Sequence, residues 1–265
     1  SFAYRYKPEG KPAQDARTLV HERFHVFQRN GFKPSKYAER TSEPDGEDLA
    51  LAALEQKALK SALAAGSREA AAGYARQFLA ARAVRYTRFP DCQVQENREE
   101  RYEGMARYTD LALMLRHEVS PEPGGMQAAL SRWLDMLPDV DDMDKSRCYG
   151  TGAAQGLLLD RAGLADWKEL VNSGYSPYEL TLKAFPQADA AAELARAKLE
   201  HGYDALLRNG LQKAADFQAA KSAAIAAYEA LPGIEWSVPT AGRMGFSAAS
   251  PQYTLPDGTT LLPDM

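Results

Sequence analysis

Residues 47–64 read EDLALAALEQKALKSALA, and residues 67–87 read SREAAAGYARQFLAARAVRYT. Neither run contains a proline, and Ala, Leu, Glu, Gln, Lys and Arg dominate both. These are the residues that lose least on joining a helix. The pattern predicts two helices, 47–64 and 67–87, separated at Gly66. The bias extends along the chain, where β-branched residues are scarce and the only isoleucines are Ile225 and Ile234. A mainly α protein is therefore expected. Upstream, Pro12 and Asn30-Gly31 bracket a helix over 13–30. Downstream, Pro90 and Cys92 mark a turn before a helix over 94–117. Further helices are predicted over 126–136, 151–162, 164–172 and 176–184. A long alanine-rich stretch follows over 188–231, with Gly210 as its expected bend. After Pro232-Gly233 the pattern changes: Ile234, Trp236 and Val238 alternate, and Asp257-Gly258 is a hairpin signal. The chain is thus read as a helical domain, 1–232, with a small β or extended C-terminal appendage, 233–265.

The bulk numbers exclude several functions. The 265 residues carry a net charge of −4, and the mean hydropathy is −0.46. No Lys/Arg block stands out, so nucleic acid is not an expected partner. No apolar run approaches the roughly 18 residues of a membrane span. Gly-rich phosphate loops and the G-x-S-x-G serine elbow are missing. Two cysteines, Cys92 and Cys148, are too few for a zinc finger and leave either one disulfide or two buried thiols. Asp139, Asp141, Asp142 and Asp144 lack the Gly and terminal Glu of a calcium loop, so they read as a solvated acidic loop.

The chemistry concentrates at His21-Glu22-Arg23-Phe24-His25, an H-E-x-x-H inside the first predicted helix. Only four histidines exist, and two fall in this pattern. Residues i and i+4 lie one turn apart on one face, so two imidazoles can converge on one ion. Glu22 projects beside them, where it can take a proton from a water that the metal activates. At about 100° per residue, Ala16, Leu19, Val20, Phe24 and Phe27 form one apolar stripe. The histidines point about 145° from its centre, toward solvent or a second buried surface.

A catalytic zinc site usually needs a third protein ligand. His117 and His201 are candidates without supporting context, and no metzincin extension follows His25. The other supply is acidic. On a regular helix Glu96, Glu99, Glu103 and Asp110 would share about a 60° arc. Such stacked charges repel, unless a cation or histidine donors face them or Arg98, Arg101 and Arg107 pair with them in solvent.

Glu103-Gly104-x-Ala106-x-Tyr108 resembles the E-G-x-A-x-Y segment that follows H-E-x-x-H in gluzincin metallopeptidases, notably the membrane alanyl aminopeptidase type. The two segments together resemble bacterial secreted zincins of that class. The likeness covers two short helices. Its gap from His25 to Glu103 is far longer than in the aminopeptidases, so a helical insertion must lie between. Tyr102 stands where Asn commonly precedes the ligand, and no G-x-M-E-N segment lies upstream, so aminopeptidase specificity is not implied. What the resemblance implies is one Zn²⁺ per chain on His21, His25 and Glu103.

On that reading Glu22 is the general base and the substrate is a peptide or protein. Gluzincins often stabilise the oxyanion with a Tyr or His. Tyr149, Tyr175 and Tyr178 are the candidates, and Tyr149 is favoured because a Gly-containing stretch leads into its predicted helix. Glu99, one turn before Glu103, is expected to orient a ligand histidine. Glu55 is either a second such carboxylate or an exposed helix residue. A secreted zincin could hold a Cys92–Cys148 disulfide, which would place the protein in the periplasm or outside the cell. The rival to hydrolysis is a zinc-binding module that recognises a peptide or protein without cleaving it.

Overall fold

A computed structural model describes residues 12–36, 39–116, 125–135, 138–140, 143, 145–230, 253–254 and 260–261. They are overwhelmingly helical. In order the helices are α1 (Pro12–Gly31), α2 (Gly46–Ala64), α3 (Arg68–Arg88), α4 (Pro90–Glu99), α5 (Met105–Arg116), α6 (Gly125–Asp135), α7 (Ser146–Ala162), α8 (Trp167–Ser173), α9 (Pro177–Ala184), α10 (Ala190–Glu200) and α11 (Tyr203–Glu229). A π-helical turn, Glu100–Gly104, joins α4 to α5. The chain divides into two units, Ser1–Leu211 and Gln212–Met265. In the second, Tyr253–Thr254 pairs antiparallel with Thr260–Leu261. Ile234, Trp236, Val238 and the Asp257-Gly258 turn lie outside the described residues. Among those residues no helix is long and apolar enough to cross a membrane.

Local chemistry sets the helix ends. Asp45 caps α2 by accepting from the Glu47 and Asp48 amides, and Ser67 caps α3. Ser176 and Glu179 form a reciprocal capping box on α9. Pro90 begins α4 at the first helical position rather than marking a turn before it. The long C-terminal stretch breaks at Gly202, not Gly210. Gly202 has φ +66, which favours glycine. Gly210 instead stays helical and touches α2, where an added Cβ would lie against the Gly46 carbonyl.

The core of the first unit lies where α2, α3, α5, α7 and α9 meet. At its centre is a buried ionic cluster. Arg82 spans Glu55 (2.9 and 2.8 Å) and both oxygens of Glu100 (2.7 and 2.8 Å). Arg85 holds Glu55 (2.6 Å), Asp48 (3.2 Å) and Glu96. Arg147 reaches Glu55 (3.1 Å) and Glu96 (3.2 Å), and Arg40 pairs with Asp48 (2.5 Å). Four guanidiniums thus face four carboxylates. Removing one member of such a set leaves an uncompensated buried charge, at a cost of about 3–5 kcal/mol. This is where Glu55 belongs: it is fully buried among arginines rather than exposed or set against a histidine.

Cys92 and Cys148 are both buried and both free, so of the two states open from the sequence it is the pair of buried thiols that forms and not the disulfide. With it goes the ground on which an extracytoplasmic location was argued.

Candidate metal centre

α1 packs on α5 with its histidine face inward. The expected apolar stripe is only partly covered: Phe24 packs against the core, while Leu19 and Phe27 remain 40% and 48% exposed. Polar pairing decides this orientation, because the inward face carries His21, His25 and Gln28, and α5 and the π turn supply partners for all three.

The π turn carries the key carboxylate. Such a turn accommodates one extra residue, so everything after it lags by about 100° relative to a regular α-helix. Glu96 and Glu103 would otherwise share a face. Instead Glu96 and Glu100 point into the arginine cluster, while Glu103 and Asp110 point at the histidines. The single acidic stripe expected from the sequence is therefore split in two. Gly104 makes the fit possible where the turn crosses Gly152 of α7. Ala106 is fully buried, and the Tyr108 hydroxyl donates to Asp160 at 2.5 Å.

Three ligand-type atoms converge. The two Nε2 atoms of His21 and His25 are 3.1 Å apart. Glu103 Oε2 lies 3.4 Å from the first and 3.2 Å from the second, and has no hydrogen-bond partner in line. The opposite ring nitrogens are engaged elsewhere. His21 Nδ1 lies 3.3 Å from Asp110 Oδ2, and His25 Nδ1 lies 2.7 Å from Gln28 Oε1. A carboxylate and an amide oxygen can only accept, so both Nδ1 atoms carry the proton. Where a ring is neutral, its Nε2 then presents a lone pair toward the other ring and Glu103.

Three acceptors this close repel unless something positive sits among them. A proton is one solution, and the His21 pKa reflects it. Burial would lower that value, but Asp110 and Glu103 raise it to about 9. A divalent cation is the other solution. With zinc–nitrogen bonds of about 2.0–2.1 Å, a tetrahedron has edges of about 3.3 Å. The observed separations match that spacing, so the donor set fits such an ion. The three side chains keep 11–14% of their surface exposed, which leaves an open side for a water or substrate.

Two further groups reach Glu103. Lys145 Nζ is 3.0 Å from Oε1, and the Tyr149 phenol lies near enough to the same carboxylate to favour its ionised form. Burial pushes the Glu103 pKa up, but His21, His25, Tyr149 and Lys145 outweigh it and hold the group far below the usual carboxylate range. Burial and Glu103 raise the Tyr149 pKa, so the phenol stays protonated. Its ring stacks between His21 and Trp133, with both centroid separations 5.8 Å. Glu22 is half-buried and makes no hydrogen bond or ion pair among the described residues, although Tyr149 feels its charge.

Several expected participants lie elsewhere. Glu99 pairs with Arg98 at 2.5 Å rather than with a histidine. Tyr175 is exposed, and Tyr178 packs in the core against Tyr86. His201 bonds to Gln77 at 3.0 Å. His117, Asp141, Asp142 and Asp144 are outside the described residues. The residues that do orient the histidines, Asp110 and Gln28, were not assigned that role from the sequence. Lys145 was not singled out at all. A signal existed for two of them: Gln28 is three residues beyond His25, and Asp110 is seven beyond Glu103, so each shares a helical face with its neighbour.

A groove of about 820 Å³ is lined in part by Leu19, Val20, Arg23, Phe24, Phe27 and Thr109. It includes the outward side of α1 and none of the converging donors. The chemistry follows the donors, not the groove. Comparison with protein-family models, curated proteins and solved structures found no match.

Proposed function

We propose that this chain is a zinc-dependent peptide hydrolase of the gluzincin type, with His21, His25 and Glu103 as the metal ligands. One observation carries the reading: three acceptor atoms face one another within 3.4 Å while both Nδ1 atoms are committed to other partners. The E-G-x-A-x-Y segment around Glu103 adds support.

A zinc ion bound there would supply Lewis-acid polarisation of water and of the peptide carbonyl. The remaining work falls to the protein. Glu22, between the two histidines and without a competing partner among the described residues, takes the proton of the attacking water and passes it to the leaving amine. Tyr149 retains its proton, so its hydroxyl can donate to charge developing on the carbonyl oxygen. Lys145 helps keep Glu103 ionised.

The test is zinc content beside turnover of a peptide library. Wild type should hold about one zinc per chain and cleave. Glu22→Gln should retain the metal and lose about 10²–10⁴ in rate. A zinc-loaded wild type that cleaves nothing would favour the non-catalytic recognition module. A wild type that holds no zinc after metal supplementation would end both readings.

A further inference from the structure

We infer that Gln28 is a positioning residue that fixes the tautomer of His25 and ties it to the backbone carrying Glu103. The functional side of this inference rests on the zinc-site reading above, but its geometry does not.

Gln28 sits on α1 one turn beyond His25 and is 1% exposed. Its amide nitrogen donates to the Tyr102 carbonyl at 2.8 Å and to the Arg101 carbonyl at 3.3 Å. Both carbonyls belong to the π turn, and Tyr102 immediately precedes Glu103. The amide oxygen lies 2.7 Å from His25 Nδ1.

The amide has only one workable orientation. Reversing it would set its oxygen against two carbonyl oxygens, losing both bonds and creating two repulsions. The oxygen must therefore face His25. His25 Nδ1 must then donate, and its Nε2 must present a lone pair toward His21 and Glu103. One buried side chain thus prepares His25 to bind a cation and grips the main chain beside the third donor. Asp110 does the first job for His21, but it has no comparable hold on the opposite helix. Gln28 is the cross-tie between the element with two donors and the element with one.

Three residues at position 28 separate these duties. Gln28→Met is similar in length but offers neither a strong acceptor nor the two donors. Gln28→Glu keeps an acceptor for His25 and loses the bonds to the π turn. The measurement is long-range ¹H–¹⁵N NMR of the histidine rings in metal-free full-length protein, under conditions where the His25 ring is neutral. Wild type and Gln28→Glu should show the Nδ1–H tautomer, and Gln28→Met should shift toward Nε2–H. Zinc competition should show Gln28→Met weakened by about 10–100-fold.

An Nε2–H tautomer in wild type overturns the inference, as does an unchanged tautomer or unchanged zinc affinity in Gln28→Met. Should Gln28→Met not fold, the wild type and Gln28→Glu spectra still decide. Failure of wild type to bind zinc counts against the proposed function, and the tautomer result stands apart from it.

Discussion

Gly104 and Gly152 meet where the π turn crosses α7: a Cβ on Gly104 would lie 2.6 Å from the Gly152 Cα. Backbone faces backbone there, so no side chain can swing aside. Gly104→Ala should therefore destabilise the fold by about 1–3 kcal/mol, as overpacking does. Because Gly104 follows Glu103 directly, the variant should also bind zinc more weakly. Denaturant titration and metal competition check both. Unchanged stability would mean that the two backbones are further apart than described.

Glu103 and Glu99 are one turn apart but have different partners. Glu103→Gln should weaken zinc binding severely, since it removes the charge 3.2 and 3.4 Å from the two histidines. Glu99→Gln should do much less, because Glu99 pairs with Arg98. Asp110→Asn, touching His21 Nδ1, should fall between them at about 10–100-fold. Competition with a zinc chelator ranks the three, and a larger loss in Glu99→Gln would reverse the ligand assignment.

Acid should unfold the protein over a defined window. Burial pushes Glu55 and Glu96 up, but Arg82, Arg85 and Arg147 outweigh it and hold both below the usual range. Asp91 is held at about 2: burial raises it, and bonds from Ser42 and Thr41 more than offset this. A carboxylate with a depressed folded pKa gives its full stabilisation above its unfolded value and loses it as pH falls toward the folded one. Stability should hold down to about pH 4–5 and then drop steeply toward about pH 2. Circular dichroism with denaturant at several pH values measures this. A flat profile would contradict the ion-pair cluster.

The cysteines give a simpler test. Burial pushes the Cys92 thiol up to about 12 and Cys148 well above its ordinary value. Native protein should react slowly with a thiol reagent, and denatured, unreduced protein should release both thiols. Finding neither thiol free after denaturation would restore the disulfide.

The helical class was legible because long Ala- and Leu-rich runs without proline have few alternatives. The His21-Glu22-x-x-His25 pair was legible because its spacing is itself geometric. The π turn was not. It changes neither composition nor hydropathy, only which face each later residue occupies. That is why Glu96 and Glu103 were expected together and stand apart. The orientation of α1 was hidden for a related reason. Leu19 and Phe27 belong to the stronger apolar stripe yet stay exposed, while the opposite face has partners for each of its polar groups and is turned inward. Glu55 could have been either exposed or buried on sequence alone. Only the positions of Arg82 and Arg85 on α3 and of Arg147 on α7, two separate stretches of chain, decide it.

The arginine–carboxylate cluster also bears on how this scaffold responds to temperature. Exposing apolar surface on unfolding raises the heat capacity, and exposing polar surface lowers it. Here the centre of the core holds ionised groups where most chains of this length bury hydrocarbon. The heat-capacity increment of unfolding should therefore be smaller than chain length predicts, and the stability curve flatter. Hydration of those ions also becomes less favourable on warming, so the penalty for keeping them buried shrinks. The framework behind the histidines and Glu103 should lose its hold more gradually on heating than a hydrocarbon core of the same size.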